Sequence, residues 1–262
     1  MTSIAITGAA GRMGRRIAAI AAESGQFEIV AALEAEGNPA IGKDIGELAG
    51  AGLLGVKVAA TLGRMPDVMV DFSLPEGTAH WVDVCREHAV PMVIGTTGLT
   101  PTQQAAVAEA AKRIAIVQAA NFSVGINVLL KIVGQVARTL GGDYDIEITE
   151  THHRFKKDAP SGTALALARA ICEALGKDAA ETLINGRGGQ CPRQPGEIGM
   201  HALRVGDTVG EHAVIYGNLG ETIAISHSAH TRDTFVRGAL RAAQWLVGRG
   251  AGLYSMADVL GL

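Results

Sequence analysis

The sequence is short of charge. Charged residues make up 19% of the 262 residues, below the roughly 25% of an ordinary soluble protein. The charge present nearly balances, at a formal net of −3. No strong basic field draws the chain to nucleic acid or to an anionic membrane, so neither partner is expected. Long apolar runs are missing too. Mean hydropathy is +0.22, yet no stretch approaches the roughly 18 continuous apolar residues of a membrane span. Met1-Thr2-Ser3 carries no basic residue ahead of an apolar run, so no signal peptide is expected. Cysteine is scarce: Cys85, Cys172 and Cys191 are odd in number and far apart. That excludes a disulfide framework and a metal knuckle, and no metal is expected. Reduced thiols point to a cytoplasmic protein.

Glycine and aliphatic residues are abundant. There are 34 glycines, and 48% of the residues are apolar, enough for a packed core and unlike a disordered chain. At about 150 residues per domain, one large or two modest domains are expected.

Residues 4–6, 28–33, 68–72, 92–94 and 114–117 read as short apolar strands. Between the first two, Met13, Ile17, Ile20 and Ala21 recur at helical spacing and Gly25 ends the helix. Pro75 and Thr100-Pro101 mark further helix starts. Continuous apolar strands separated by helices predict a parallel sheet covered on both faces, an α/β domain. Residues 37–63 are Gly-rich and read as a long loop with short elements.

The pattern changes after Asn121. Residues 124–140 predict a helix with Ile126, Leu129, Leu130, Val133, Val136 and Leu140 on one face. Tyr144 to Thr151 alternates like a half-exposed strand, and a loop at 152–161 leads to a helix starting near Ser161. Three strand-like stretches follow near 198–205, 212–217 and 221–228, then a helix over 234–247. A run of strands without alternating helices predicts a second, α+β domain with a mixed or antiparallel sheet.

Gly8-Ala9-Ala10-Gly11-Arg12-Met13-Gly14 lies between the first strand and the first helix. Dinucleotide sites need glycines there, for a tight turn, for approach to a pyrophosphate and for helix–strand packing. The helix start supplies N–H groups and a positive dipole. Glu34 ends the second strand, 20 residues after Gly14, where an acid can accept from the adenosine ribose. The bland alternative is a Gly-rich loop with a solvated surface Glu. Gly95-Thr96-Thr97-Gly98 and Ala119-Ala120-Asn121-Phe122 follow the fourth and fifth strands, at the edge where ligands of open α/β sheets bind.

The segment His152-His153-Arg154-Phe155-Lys156-Lys157-Asp158-Ala159-Pro160-Ser161-Gly162-Thr163 places five potentially cationic groups within six residues, just before a helix capped by Ser161. Such a place suits a substrate with more than one carboxylate, and its histidines can move protons near neutral pH. A basic solvated loop before a capped helix is the plain alternative. Adjacent histidines lack the spacing of a helical zinc site. His80 and His88 read as surface groups, and His227 and His230 as structural groups or cleft lining. Trp81 and Trp245 read as packing anchors.

GAAGRMG at 8–14, GTTG at 95–98, ANFSVG at 120–125, ETHHRFKKDAPSGT at 150–163 and VGEH at 209–212 together resemble the 4-hydroxy-tetrahydrodipicolinate reductase family, also called dihydrodipicolinate reductase. The resemblance covers essentially the whole chain. It implies a Rossmann-like dinucleotide-binding domain over 1–123 and 233–262, and a substrate-binding and tetramerisation domain over 124–232. It implies NADH or NADPH as cofactor, a cyclic dicarboxylate as substrate and a homotetramer. Carried over by motif, His152 and Lys156 resemble the proton donors, and His153, Gly162 and Thr163 the substrate-carboxylate contacts. Gly8, Ala9, Ala10, Gly11, Arg12, Met13, Glu34, Gly95, Thr96, Thr97, Ala119, Ala120, Asn121 and Phe122 resemble the cofactor contacts. Some relatives carry Arg right after the ribose-binding acid. Here Ala35 stands between Glu34 and Glu36, which predicts a preference for NADH, with Arg12, Arg15 or Arg16 as routes to NADPH.

Two other readings compete. A semialdehyde-type dehydrogenase would need a reactive thiol beside a base, and none of the three cysteines lies in a motif. A dinucleotide-sensing regulator would need a DNA-binding module or basic face, and the dense basic cluster sits in the substrate-like loop.

Overall fold

The computed structural model describes residues 1–262. The chain opens with β1 (Thr2–Thr7) and α1 (Arg12–Ser24), followed by β2 (Phe27–Leu33). α2 (Ile45–Ala49) and β3 (Val58–Ala59) are the short elements of the Gly-rich stretch. Next come β4 (Val68–Asp71), α3 (Pro75–His88), β5 (Met92–Ile94), α4 (Pro101–Ala110) and β6 (Ala115–Gln118). Both α3 and α4 begin on the expected prolines, whose missing N–H is no loss in a first turn. Thr100 and Gln103 close a capping box on α4.

The middle of the chain forms α5 (Val124–Leu140), β7 (Asp145–His152), α6 (Gly162–Leu175), α7 (Ala179–Thr182), β8 (Leu183–Asn185), β9 (Ile198–Arg204), β10 (Gly210–Asn218) and β11 (Glu221–Ala229). α8 (Asp233–Leu246), β12 (Gly252–Tyr254) and α9 (Met256–Leu260) complete it. Two compact units result: Met1–Val124 with Asp233–Gly261, and Gly125–Arg232.

The first unit is built on a seven-stranded sheet in the order β12-β6-β5-β4-β1-β2-β3. Every pairing is parallel. Alternate strand residues feed two cores. Ile4, Ile6, Val68, Val70, Val93 and Val117 pack with α1 and α8. Ala5, Met69, Met92, Ile94 and Ile116 pack with α3 and α4, where Trp81 is an anchor. Burial on both faces is why these strands read as unbroken apolar runs. The chain runs outward from β1 to β3 and then returns to β4, so strand order reverses beside β1. Ligands of open α/β sheets bind at such a switch point. β12 was not foreseen: at the sheet edge its three residues, Gly252 to Tyr254, are not fully buried and make no unbroken apolar run.

The second unit has a five-stranded sheet in the order β11-β10-β7-β9-β8. β11, β10 and β7 pair antiparallel, whereas β7, β9 and β8 pair parallel, so the sheet is mixed. Its inner face carries Ile146, Ile148, Ile198, Met200, Val214 and Tyr216, packed on Ile126, Leu129 and Val133 of α5 and Leu167, Ala168 and Ile171 of α6. The buried Tyr216 hydroxyl donates to the Val133 carbonyl at 2.7 Å, so its polar end is satisfied. Beyond Ile148 the same face of β7 turns polar, with Glu150 and then His152. Sequence pattern alone ends this strand at Thr151 and gives His152 to the loop. The structure makes His152 the last strand residue, because it pairs with Arg204 of β9 and its carbonyl accepts from Val205 N–H at 2.9 Å.

Candidate active site

Thr7 ends β1, and the chain turns through Gly8 at φ +66°. A Cβ there would stand 2.6 Å from the Phe72 carbonyl oxygen, and one on Gly14 2.2 Å from the Gly8 carbonyl oxygen. Only glycine fits such approaches. No side chain caps the α1 N-terminus at Gly11, which leaves the positive helix end to an external anion. Glu34 is tied to this turn: its Oε1 accepts from the Ala10 N–H at 2.8 Å, and its Oε2 from Asn38 Nδ2 at 3.1 Å. Asn38 had no role in the sequence reading.

The other motif segments follow the carboxyl ends of β5 and β6, on the same sheet edge. Thr96 is buried and its hydroxyl donates to Asp71, while Thr97 is exposed. Ala119 N–H donates to the Ile94 carbonyl at 3.2 Å. Ala9 and Phe122 are buried in the core, with the Phe122 ring 5.7 Å from that of Phe72. Ala9, Thr96 and Phe122 therefore have backbone, not side chain, to offer a ligand. Asn121 Oδ1 accepts from Ser123 N–H at 2.8 Å.

Asp71, at the end of β4, escaped the sequence reading. Its side chain is fully buried. It accepts from the hydroxyls of Thr7 (2.5 Å), Ser73 (2.5 Å), Thr78 (2.6 Å) and Thr96 (2.9 Å), and from Ser73 N–H (3.2 Å). One carboxyl thus ties together the carboxyl ends of β1 and β4, the loop after β5 and the first turn of α3. An acid at the end of an apolar strand, with Ser73 and Thr78 downstream, was the available signal. Its partners Thr7 and Thr96 lie too distant in sequence to reveal it.

In the second unit the polar end of β7 forms a compact network. Glu150 is buried, with 1% of its side chain exposed. Its Oε2 lies 2.5 Å from His152 Nδ1 and accepts from Arg204 at 2.9 Å. Its Oε1 accepts from Arg204 at 2.8 Å and from Ser161 N–H at 3.0 Å. Ser161 Oγ caps α6 by accepting from Ala164 N–H and lies 3.1 Å from His212 Nε2. His212 stands opposite Glu150 on β10, and its ring centroid is 5.2 Å from that of His152. Lys156 Nζ donates to both Asp158 oxygens at 2.8 Å, and Arg204 also donates to the Asp158 carbonyl at 2.7 Å. His153 is half-buried, and Gly162 and Thr163 open α6. Arg154 and Lys157 are exposed. His152, His153, Lys156, Gly162 and Thr163 thus share one end of this unit. Arg204 and His212 were not assigned roles from sequence.

Burial pushes the Glu150 carboxyl upward, but Arg204, His152 and the Ser161 amide outweigh it and hold it below the usual carboxylate range. Burial pushes the His152 imidazole below its ordinary value; Glu150 opposes this, while Lys156 and Arg204 add to it. The surroundings thus favour the ionised form of Glu150 and the neutral form of His152. Burial, with His152 next, pushes His212 down to about 4. The Lys156 ammonium holds Asp158 below its usual value.

The opposite face of β7 presents Glu147, which pairs with Arg187, Arg193 and His201. Cys85 and Cys172 are buried, and burial pushes the Cys85 thiol up to about 12. Neither suits a thiolate nucleophile. Cys191 is exposed. His80 and His88 are exposed, and His227 is half-buried opposite His212. The structure holds no group of three His, Cys, Asp or Glu side chains able to take a metal.

Two family models match the chain: dihydrodipicolinate reductase, N-terminus, over residues 2–122, and dihydrodipicolinate reductase, C-terminus, over residues 125–260. A 4-hydroxy-tetrahydrodipicolinate reductase from Geobacter sulfurreducens is 49% identical over 266 residues, covering 100% of both chains. Among solved structures, a dipicolinate-bound dihydrodipicolinate reductase from Paenisporosarcina sp. TG-14 superposes with a TM-score of 0.77 at 23% identity, covering 98% of each chain. An amine dehydrogenase from Mycobacterium smegmatis reaches a TM-score of 0.58 at 13% identity, covering 97% of this chain and 95% of the other, a likeness of fold. By both halves of its sequence, the chain belongs to the dihydrodipicolinate reductase family.

Proposed function

We propose that the chain reduces 4-hydroxy-tetrahydrodipicolinate, by way of the dehydrated ring dihydrodipicolinate, to tetrahydrodipicolinate in the diaminopimelate route to lysine. The observation that carries this reading is the grouping of His152 and Lys156 with the start of α6. There, proton-bearing side chains stand beside helix N–H donors suited to carboxylates. His153, Gly162 and Thr163 hold the carboxylates. His152 and Lys156 deliver the proton that the electron-rich enamine takes up, and their positive charge offsets charge developing on the ring.

The glycine turn, the uncapped α1 start and Glu34 fit a dinucleotide, NADH or NADPH. Gly8 through Met13 take the pyrophosphate, Glu34 the adenosine ribose, and Gly95 through Thr97 with Ala119 through Phe122 the nicotinamide end. When bound, the reduced nicotinamide supplies hydride from C4. The ring gains that hydride and one proton, and the dinucleotide leaves oxidised. Glu34 and Glu36 around Ala35 would repel a 2′-phosphate, so NADH is the preferred donor.

In this reading, residues 1–123 with 233–262 bind the dinucleotide, and 124–232 bind substrate and assemble a homotetramer. β11 supports assembly: it is a nine-residue edge strand, mostly exposed, and long bare edges call for a cover. No helix is long and apolar enough to cross a membrane, and the three unpaired thiols fit a reducing cytoplasm.

The test is oxidation of NADH and of NADPH, followed by absorbance, with the substrate made in place from pyruvate and aspartate semialdehyde by a synthase. Substrate-dependent oxidation is expected, faster with NADH. A folded protein that binds dinucleotide but turns nothing over would defeat the reading.

A further inference from the structure

We propose that Glu150 is a positioning residue for the reaction: it holds His152 with Nδ1–H toward the carboxylate, so that Nε2 is the nitrogen that carries the transferred proton. Arg204 and the Ser161 amide hold Glu150 in turn. The inference rests on the proton role given to His152 above.

Glu150 and His152 are two residues apart on one strand, so both side chains leave the same face of β7. The carboxylate is saturated: Arg204 grips both oxygens, Ser161 N–H donates to one and His152 Nδ1 lies against the other. Arg204 reaches it from β9, where it stands in register with His152. Four contacts from three elements leave this carboxylate no room to turn. An ionised carboxylate only accepts, so the nitrogen facing it at 2.5 Å must be the one bearing hydrogen. Nε2 then holds the lone pair and takes up and gives the proton. It faces Gly210, where a Cβ would stand 3.1 Å away.

A structural ion pair would be complete with Arg204 alone. The ring as third partner is what suggests a task. The groups facing His152 are Glu150 on its own strand, Arg204 on β9, His212 on β10, with His227 behind it on β11, and Lys156 in the following loop. Glu150 is the one anion among them. It opposes the burial and the cations that disfavour the imidazolium, and so favours proton uptake by Nε2.

The first experiment uses the unaltered protein labelled with ¹⁵N-histidine, with the His152 signal assigned by its loss in His152→Gln. Hydrogen on Nδ1 in the neutral ring is expected. Hydrogen on Nε2 would overturn the proposal, and this measurement does not depend on any Glu150 variant folding. The second compares Glu150→Gln and Glu150→Asp. Glu150→Gln should lower kcat about tenfold to a hundredfold, part of the 10²–10⁴ that general acid–base catalysis contributes. It should also move the alkaline limb of the pH–rate profile to lower pH, because the imidazolium loses its anion. KM for the dicarboxylate and for the dinucleotide should hold, since Glu150 is buried and offers no surface to either. Glu150→Asp, which keeps the charge, should restore much of the limb position. A merely structural role would lower stability without moving that limb. If His152→Gln is inactive but folded Glu150→Gln keeps both wild-type kcat and limb, Glu150 is no positioning residue. If His152→Gln itself stays active, the proton role of His152 falls, and the proposal with it.

Discussion

At the residue scale, the two side chains proposed to carry the proton chemistry are held differently. His152 is braced by a buried carboxylate, whereas Lys156 leans on the exposed Asp158. Glutamine at 152 can still donate to Glu150, so His152→Gln should cut kcat by about 10²–10⁴ while thermal stability and dinucleotide binding change little. Unchanged kcat would reject the role. Lys156→Ala should worsen both kcat and the KM for the dicarboxylate; a rise in KM alone would make Lys156 a binding group only. The pH profile has a definite sign. In the free protein burial disfavours the charged His152 ring, and a bound dicarboxylate brings anions that favour it. The alkaline limb of kcat, which reports the complex, should therefore lie at higher pH than that of kcat/KM. Coincident limbs would mean that the substrate does not charge His152. Glu34→Gln keeps an acceptor for the Ala10 amide but loses the charge. Its NADH-to-NADPH preference in kcat/KM should fall by about tenfold, the order of one charge-assisted hydrogen bond.

At the scale of elements, the sheet edge of the first unit is organised by Asp71. Five donors from β1, α3 and two loops converge on one buried carboxyl. Asp71→Ala would strand those donors. Unfolding free energy should drop by on the order of 3 kcal/mol or more, read as a lower Tm, and dinucleotide affinity should fall with the loosened edge. An unchanged Tm would show that water replaces the carboxyl at no loss. This hub and the Glu150 network share a logic. In both, a buried acid near the carboxyl end of a strand gathers donors from several other segments. The strands themselves were legible because double burial leaves unbroken apolar runs, and the proline helix starts because proline's missing N–H suits a first turn. β3, β8 and β12 were not, because they are short edge strands without an unbroken buried apolar run, and only their neighbours in the sheets define them.

At the scale of the whole molecule, acid sensitivity follows from the buried histidines. His212 is held near 4 in the folded chain against an ordinary 6.5. Between those values the unfolded chain binds a proton that the folded chain refuses, so stability falls as pH drops through that window. His152 adds the same sign from its own ordinary value downward, and Glu150 adds it lower, where its carboxylate must protonate. For His212 the loss is on the order of 3 kcal/mol. Denaturant midpoints of wild type and His212→Gln, taken from neutral pH to about pH 4, should converge as pH falls. Parallel curves would show that the ring takes up its proton without strain. Light scattering should report four chains per particle, and a monomer would leave the β11 edge unexplained.

What the amino-acid order determined by itself was local or periodic: the βα alternation, the glycine turn with its acid, the capped helix behind a basic loop, and the family motifs that run the length of the chain. These are short-range facts, since turn chemistry, capping and burial period act over a few residues. Only the tertiary structure decided what His152 leans on, because Arg204 and His212 reach it by strand register over some fifty to sixty positions. It alone gathered Thr7, Thr78 and Thr96 onto Asp71, and it alone turned the Phe122 and Thr96 side chains inward. A buried carboxylate needs several donors at once, and a chain can supply them from distant positions only by folding.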